Sequence, residues 1–209
     1  MDFDVRDLSC EGFASELAAR KPVPGGGAAA AYVGALASSL ASMVGEFTVG
    51  KPRYAAVEDD VLAIMSRAAG LREELLSLSA DDARAYALVS AAYGLAKDDP
   101  ERPGRIQEAL KEAAVPPLQV MRACGEVLGL LEELEAKGSK LLQADVACGA
   151  LMASSALEAA SLSIWANTVP MRDRTLAVEL ESEADALLDT WRPRARAVAD
   201  SVAKKIRGV

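Results

Sequence analysis

Among its 209 residues the chain has no histidine. The commonest side-chain base near neutral pH and the commonest metal ligand are therefore both missing. Any proton transfer must rest on Asp, Glu, Lys, Tyr or Cys. Aromatic residues are also scarce, at 4%. The core must be built from Ala, Leu, Val and Met, which suits closely spaced helices better than sheets, where aromatic and β-branched residues are favoured. There are only three cysteines, Cys10, Cys124 and Cys148. An odd number without metal-ligand spacing reads as reduced thiols in a cytoplasmic protein. Positive charge is in deficit: 23 Lys and Arg against 31 Asp and Glu give −8, which argues against a nucleic-acid partner. The opening Met1-Asp2-Phe3-Asp4 is acidic and lacks the apolar run of a secretory signal. One uncharged stretch exists, Ala28 to Val44. Its Ala, Ser and Gly content fits a buried helix better than a membrane span, so no membrane partner is expected.

That stretch belongs to the segment that organises the chain, KPVPGGGAAAAYVGALASSLASMVGEFTVGK, from Lys21 to Lys51. Gly25, Gly26 and Gly27 leave the backbone bare and free to turn. The alanines that follow are strong helix formers. A bare loop feeding a helix presents unpaired N–H groups at the positive end of the dipole, suited to an anion or a polar ligand edge. A tight turn between helices is the plainer alternative. Ala30, Gly34, Ser38 and Ser42 stand four apart and make one smooth face, so this helix is expected in the middle of a bundle.

The rest of the chain is helical in pattern. Ser9 is expected to cap a first helix ending near Arg20, with Phe13, Leu17 and Ala18 on its apolar face. The small-residue helix runs to about Val49. A long helix follows from Val57 to about Leu95, with Gly70 and Ser79 to Asp82 as weak points. A fourth region covers Arg105 to Lys137, where Pro116-Pro117 must kink or break it. A fifth spans Leu141 to Val169, and a sixth spans Arg172 to Arg207 with a kink at Pro193. No alternating strand pattern appears. The expectation is an all-α bundle of about six helices, some long and kinked, in one domain covering residues 1–209.

Candidate functional residues divide into decoys and contenders. Gly45 to Lys51 has the G-x-x-x-x-G-K spacing of a phosphate loop, but Pro52 stands where Ser or Thr would hold magnesium, and no parallel sheet accompanies it. Lys51, followed by Tyr54, is either a helix-end charge or a pocket-rim cation. Lys97 has the same two readings. Asp145 is the only acid between Glu135 and Glu158. It is either a dipole partner or a partly buried carboxylate tuned for acid–base work. Asp82, with Tyr86 one turn on, either lines the same cavity or is solvated.

Several segments resemble the cyclodeaminase domain of formiminotransferase-cyclodeaminase and its stand-alone methenyltetrahydrofolate cyclohydrolase relatives. They are Pro24-Gly25-Gly26-Gly27 with Gly34-Ala35-Leu36, then Met43-Val44, Thr48, Gly50-Lys51 and Tyr54. Further on come Asp82-Ala83, Ala85-Tyr86, Leu95, Lys97, Pro117-Leu118, Gly138, Asp145 and Asn167. The resemblance implies a homodimeric helical protein acting on a tetrahydrofolate derivative, with no metal or redox cofactor. It would hydrolyse a methenyl bridge or cyclise a formimino group with loss of ammonia. It assigns acid–base or charge roles to Asp145 and to Lys97 or Lys51. Binding falls to Gly25, Gly26, Gly27, Tyr54, Asp82, Tyr86 and Asn167. Some family positions differ: Ala28 replaces a Ser, Ser163 an Asn, and Gly138 to Asp145 lacks two Asn and a Ser. These changes keep open an alternative, a helical dimer that binds a folate-like ligand without turning it over.

Overall fold

The computed structural model describes residues 3–208; Met1 and Asp2, half of the acidic opening, and Val209 lie outside them. Among the described residues there are seven α-helices, three short 3-10 turns and no strand. Helix α1 is Cys10–Ala18, and Ser9 caps it by accepting from the Gly12 N–H at 3.0 Å. Only Phe13 of its expected apolar face is buried. It packs on Tyr32 with ring centroids 5.1 Å apart, while Leu17 and Ala18 stay exposed. A nine-residue helix lying on the surface has one anchor point and no need of a full stripe.

Helix α2, Gly26–Glu46, lies at the centre, against α3 (Glu58–Gly94), α5 (Val115–Lys137) and α6 (Gln143–Thr168). Its small residues make that possible. A β-carbon on Gly34 would sit 2.8 Å from Cys124 Sγ and 3.2 Å from Leu75. Ser38 is fully buried and donates to the Ala68 carbonyl at 2.7 Å, so its hydroxyl is satisfied against α3 rather than stranded. Ser79 Oγ donates across the same interface to the Ala28 carbonyl at 3.0 Å. These two bonds fix α3 antiparallel to α2. Gly149 of α6 would place a β-carbon 3.5 Å from the Ala37 carbonyl oxygen. Helices α2 and α6 therefore lie face to face at close range.

Helix α3 runs unbroken through Gly70 and Ser79 to Asp82. Buried residues from Val61 to Leu78 hold its first half in the main core. Ala85, Val89 and Ala92 join a second cluster with α4 (Arg102–Ala113) and the start of α7 (Arg174–Arg207). The expected fourth region is two helices. Its break falls at Ala114, because Pro116 and Pro117 occupy the first turn of α5, where missing N–H donors cost nothing. Helix α7 continues through Pro193. Two helical stretches, Gly26–Glu46 and Lys140–Thr168, are long and apolar enough to cross a membrane, yet about half of each is buried inside the bundle.

Candidate active site

At the N-terminal end of α2 a cavity of about 290 Å³ opens between the glycine turn, α3 and the C-terminal end of α6. Its walls bring together six expected site residues: Gly25, Gly26, Gly27, Asp82, Tyr86 and Asn167. Gly25 is the N-cap of α2 and supplies no side-chain cap. The first N–H groups of the helix are thus available to a ligand at the positive end of its dipole.

Asp82 is held where it must meet that helix end. It stands one turn beyond Ser79, the residue that ties α3 to the Ala28 carbonyl, and it accepts from the Ala28 N–H. A β-carbon on Gly27 would overlap the Asp82 carboxylate, so the absence of a side chain there makes room for the acid. Burial pushes the Asp82 carboxyl up to about 6, against the smaller opposing pull of the Ala28 N–H. A carboxyl in that range both takes and gives a proton near neutral pH, without a histidine.

Asn167 donates through Nδ2 to the Ala113 carbonyl at 3.1 Å and to the Ser163 carbonyl at 2.8 Å. These bonds fix the side chain against the cavity wall. Tyr86 lies one turn beyond Asp82 and is about half exposed, at 49%. Two further lining residues were not singled out as site residues from sequence. One is Ser163, which stands where the family carries Asn. Lys21 pairs with Glu16 at 2.5 Å on the rim. Its position just ahead of the glycine turn was the available signal.

The other four expected residues lie elsewhere within the chain. Lys51 follows α2 at its far end and donates to the Phe47 carbonyl, the helix-end role that was its plainer reading. Tyr54 lies in the 3-10 turn Pro52–Val57, where its Oη accepts from the Lys140 N–H at 3.0 Å. That bond, helped by the nearby Ser139 hydroxyl and the Arg53 and Lys51 charges, lowers the Tyr54 phenol from its ordinary range. Asp145 is half-buried in the first turn of α6, beside this region. Helix α2 has 21 residues and is about 30 Å long at 1.5 Å per residue. Lys51, Tyr54 and Asp145 thus sit at the opposite end of the bundle from Asp82. Lys97 is exposed in the loop after α3, about 20 Å along that helix from Asp82. Within one chain, antiparallel packing of α2 on α6 places Lys51 and Asp145 at the end away from the glycines, and Lys97 lies in the loop after α3.

A model of the formiminotransferase-cyclodeaminase family matches residues 9–186. A methenyltetrahydrofolate cyclohydrolase from Methylorubrum extorquens is 40% identical over 182 residues, covering 85% of this chain and 88% of that protein. A formimidoyltransferase-cyclodeaminase from Mus musculus is 30% identical over 94% of this chain, which spans only 37% of the mouse protein's length. The crystal structure of a formiminotetrahydrofolate cyclodeaminase from Thermotoga maritima superposes with a TM-score of 0.84 at 30% identity. It covers 96% of this chain and all of that one.

Proposed function

The chain belongs to the formiminotransferase-cyclodeaminase family, and from that membership we propose that it is a methenyltetrahydrofolate cyclohydrolase with its reaction centre at Asp82. The observation that carries the assignment of the site is the half-buried carboxylate against the bare start of α2, in a cavity large enough for a heterocycle. The 40% identity to a stand-alone protein of that name, matched over nearly its full length, favours hydrolysis over deamination.

The methenyl carbon lies between two nitrogens that share a positive charge. Asp82, ionised, attracts that cation and takes a proton from a water molecule as the water oxygen bonds to the carbon. The protonated Asp82 then delivers the proton to the departing ring nitrogen as its bond to carbon breaks. The hydroxyl proton leaves to solvent and a formyl group remains on the other nitrogen. Asn167 and the uncapped N–H groups of Gly26 and Gly27 hold polar edges of the ring system. The reading includes a cytoplasmic homodimer needing no metal or redox cofactor; the charge of −8 favours no nucleic-acid partner, and the helices half-buried in the bundle favour no membrane partner.

A second reading, binding without turnover, draws on Ser163, whose short side chain lines the cavity at a position where the family carries Asn. Absorbance of methenyltetrahydrofolate with and without the protein separates the two. Accelerated loss of the chromophore, with 10-formyltetrahydrofolate as product, supports the hydrolase. Tight binding with no acceleration supports the second reading. Turnover of 5-formiminotetrahydrofolate alone would assign the deaminase branch instead.

A further inference from the structure

Among the described residues, the cavity at the start of α2 is lined by two charged side chains of opposite sign and unequal depth. Asp82 is the acid, half-buried against Gly27. Lys21 is the cation, exposed at the rim. Tyr86, one turn beyond Asp82 and about half exposed, offers a ring face between those depths. The proposed substrate has the same polarity. Its methenyl end is a cation, its glutamate end carries two carboxylates, and an aminobenzoyl ring joins them. A cavity of about 290 Å³ lies at the small end of the roughly 300–1,000 Å³ that encloses a whole ligand of drug size. With the methenyl carbon at Asp82, the glutamate must emerge at the mouth, where Lys21 is the cation that meets it.

We infer that Lys21 selects for the glutamate tail: its ammonium binds a tail carboxylate and sets substrate affinity rather than the rate of the chemical step. The segment around it suits that role. The Lys21 N–H donates to the Ala19 carbonyl at 2.8 Å. Pro22 and Pro24, both in the cavity wall, restrict the backbone between Lys21 and the glycine turn. The root of the side chain is thus held while its flexible stem swings. Its partner Glu16, at 2.5 Å, does not lock it away, because the two side chains are 52% and 40% exposed. An exposed pair of this kind contributes little, so one carboxylate exchanges for another at small cost. The ammonium also has three donors, more than Glu16 uses.

The inference rests on the hydrolase reading for its substrate, and kinetics with two compounds tests it separately. One is methenyltetrahydrofolate; the other is methenyltetrahydropteroate, the same ring system without the glutamate. Wild type is expected to show a KM about tenfold lower for the first, the worth of one charge-assisted contact. Lys21→Met should raise that KM about tenfold, keep kcat within about twofold, and leave KM for the second compound unchanged. Lys21→Arg, which keeps the charge, should restore most of the affinity. Added salt should raise the wild-type KM for methenyltetrahydrofolate and leave that of Lys21→Met level. An unchanged KM in Lys21→Met, an equal rise for both compounds, or a fall in kcat alone overturns the inference and leaves the Asp82 site standing. If wild type hydrolyses neither compound, the hydrolase reading falls instead, and calorimetric titration with the same two compounds decides the role of Lys21. Tighter binding of the glutamate form, lost in Lys21→Met, upholds it; equal binding of the two overturns it.

Discussion

The carboxylate of Asp82 occupies the space that a β-carbon on Gly27 would fill. One residue's missing side chain thus sets the position of the other's charge, and the start of α2 and the middle of α3 behave as one unit.

Gly27→Ala is therefore expected to cost about 1–3 kcal/mol of stability through overpacking and at least tenfold in turnover. Adding Asp82→Ala should restore most of the stability and none of the activity. A double-mutant cycle by thermal unfolding checks it; additive losses would mean the two side chains do not share the space.

The pH profile follows from the Asp82 carboxyl, pushed up to about 6 by burial. As the base that activates water it must be ionised. The plot of kcat/KM, corrected for the spontaneous reaction, should rise with pH through about 6 and level off above it. Asp82→Asn should flatten that rise along with the rate.

Stability moves in the opposite sense. The folded chain keeps a proton on Asp82 between its unfolded value of 3.8 and about 6, where the unfolded chain has already lost it. Wild-type stability therefore falls as pH rises across that window. Allowing for partial solvent access, Asp82→Asn should be more stable than wild type by about 1–2 kcal/mol above pH 6. The difference should close below about pH 4. Urea unfolding at both pH values measures it.

At the other end of α2, Thr48 is fully buried. Its hydroxyl donates to the Val44 carbonyl at 2.6 Å and accepts from the Ser139 N–H at 2.9 Å. Thr48→Val removes both bonds and strands a buried N–H, a loss of about 1–3 kcal/mol visible in the thermal midpoint. A smaller loss would mean that the turn before α6 finds other partners.

Helix positions were legible because Ala-rich and Leu-rich periodicity, Ser9 and the prolines each act locally. The split at Ala114 was half legible: two prolines announce a break, but their tolerance in a first turn moves it ahead of them. Motif order brought out the glycine turn, Asp82, Tyr86 and Asn167, which the fold then gathers. It could not reveal that Lys51, soon after the glycines in sequence, lies a whole helix length away. Nor could it give Lys21 a role, since a lysine before a turn looks like any solvated charge.

The most direct test is the decay of the methenyltetrahydrofolate chromophore catalysed by wild type and by Asp82→Asn, at a pH where the spontaneous reaction is slow. The account predicts clear acceleration by wild type and a loss of at least 100-fold in the variant, with its helical circular dichroism unchanged. Equal rates for the two proteins would contradict it.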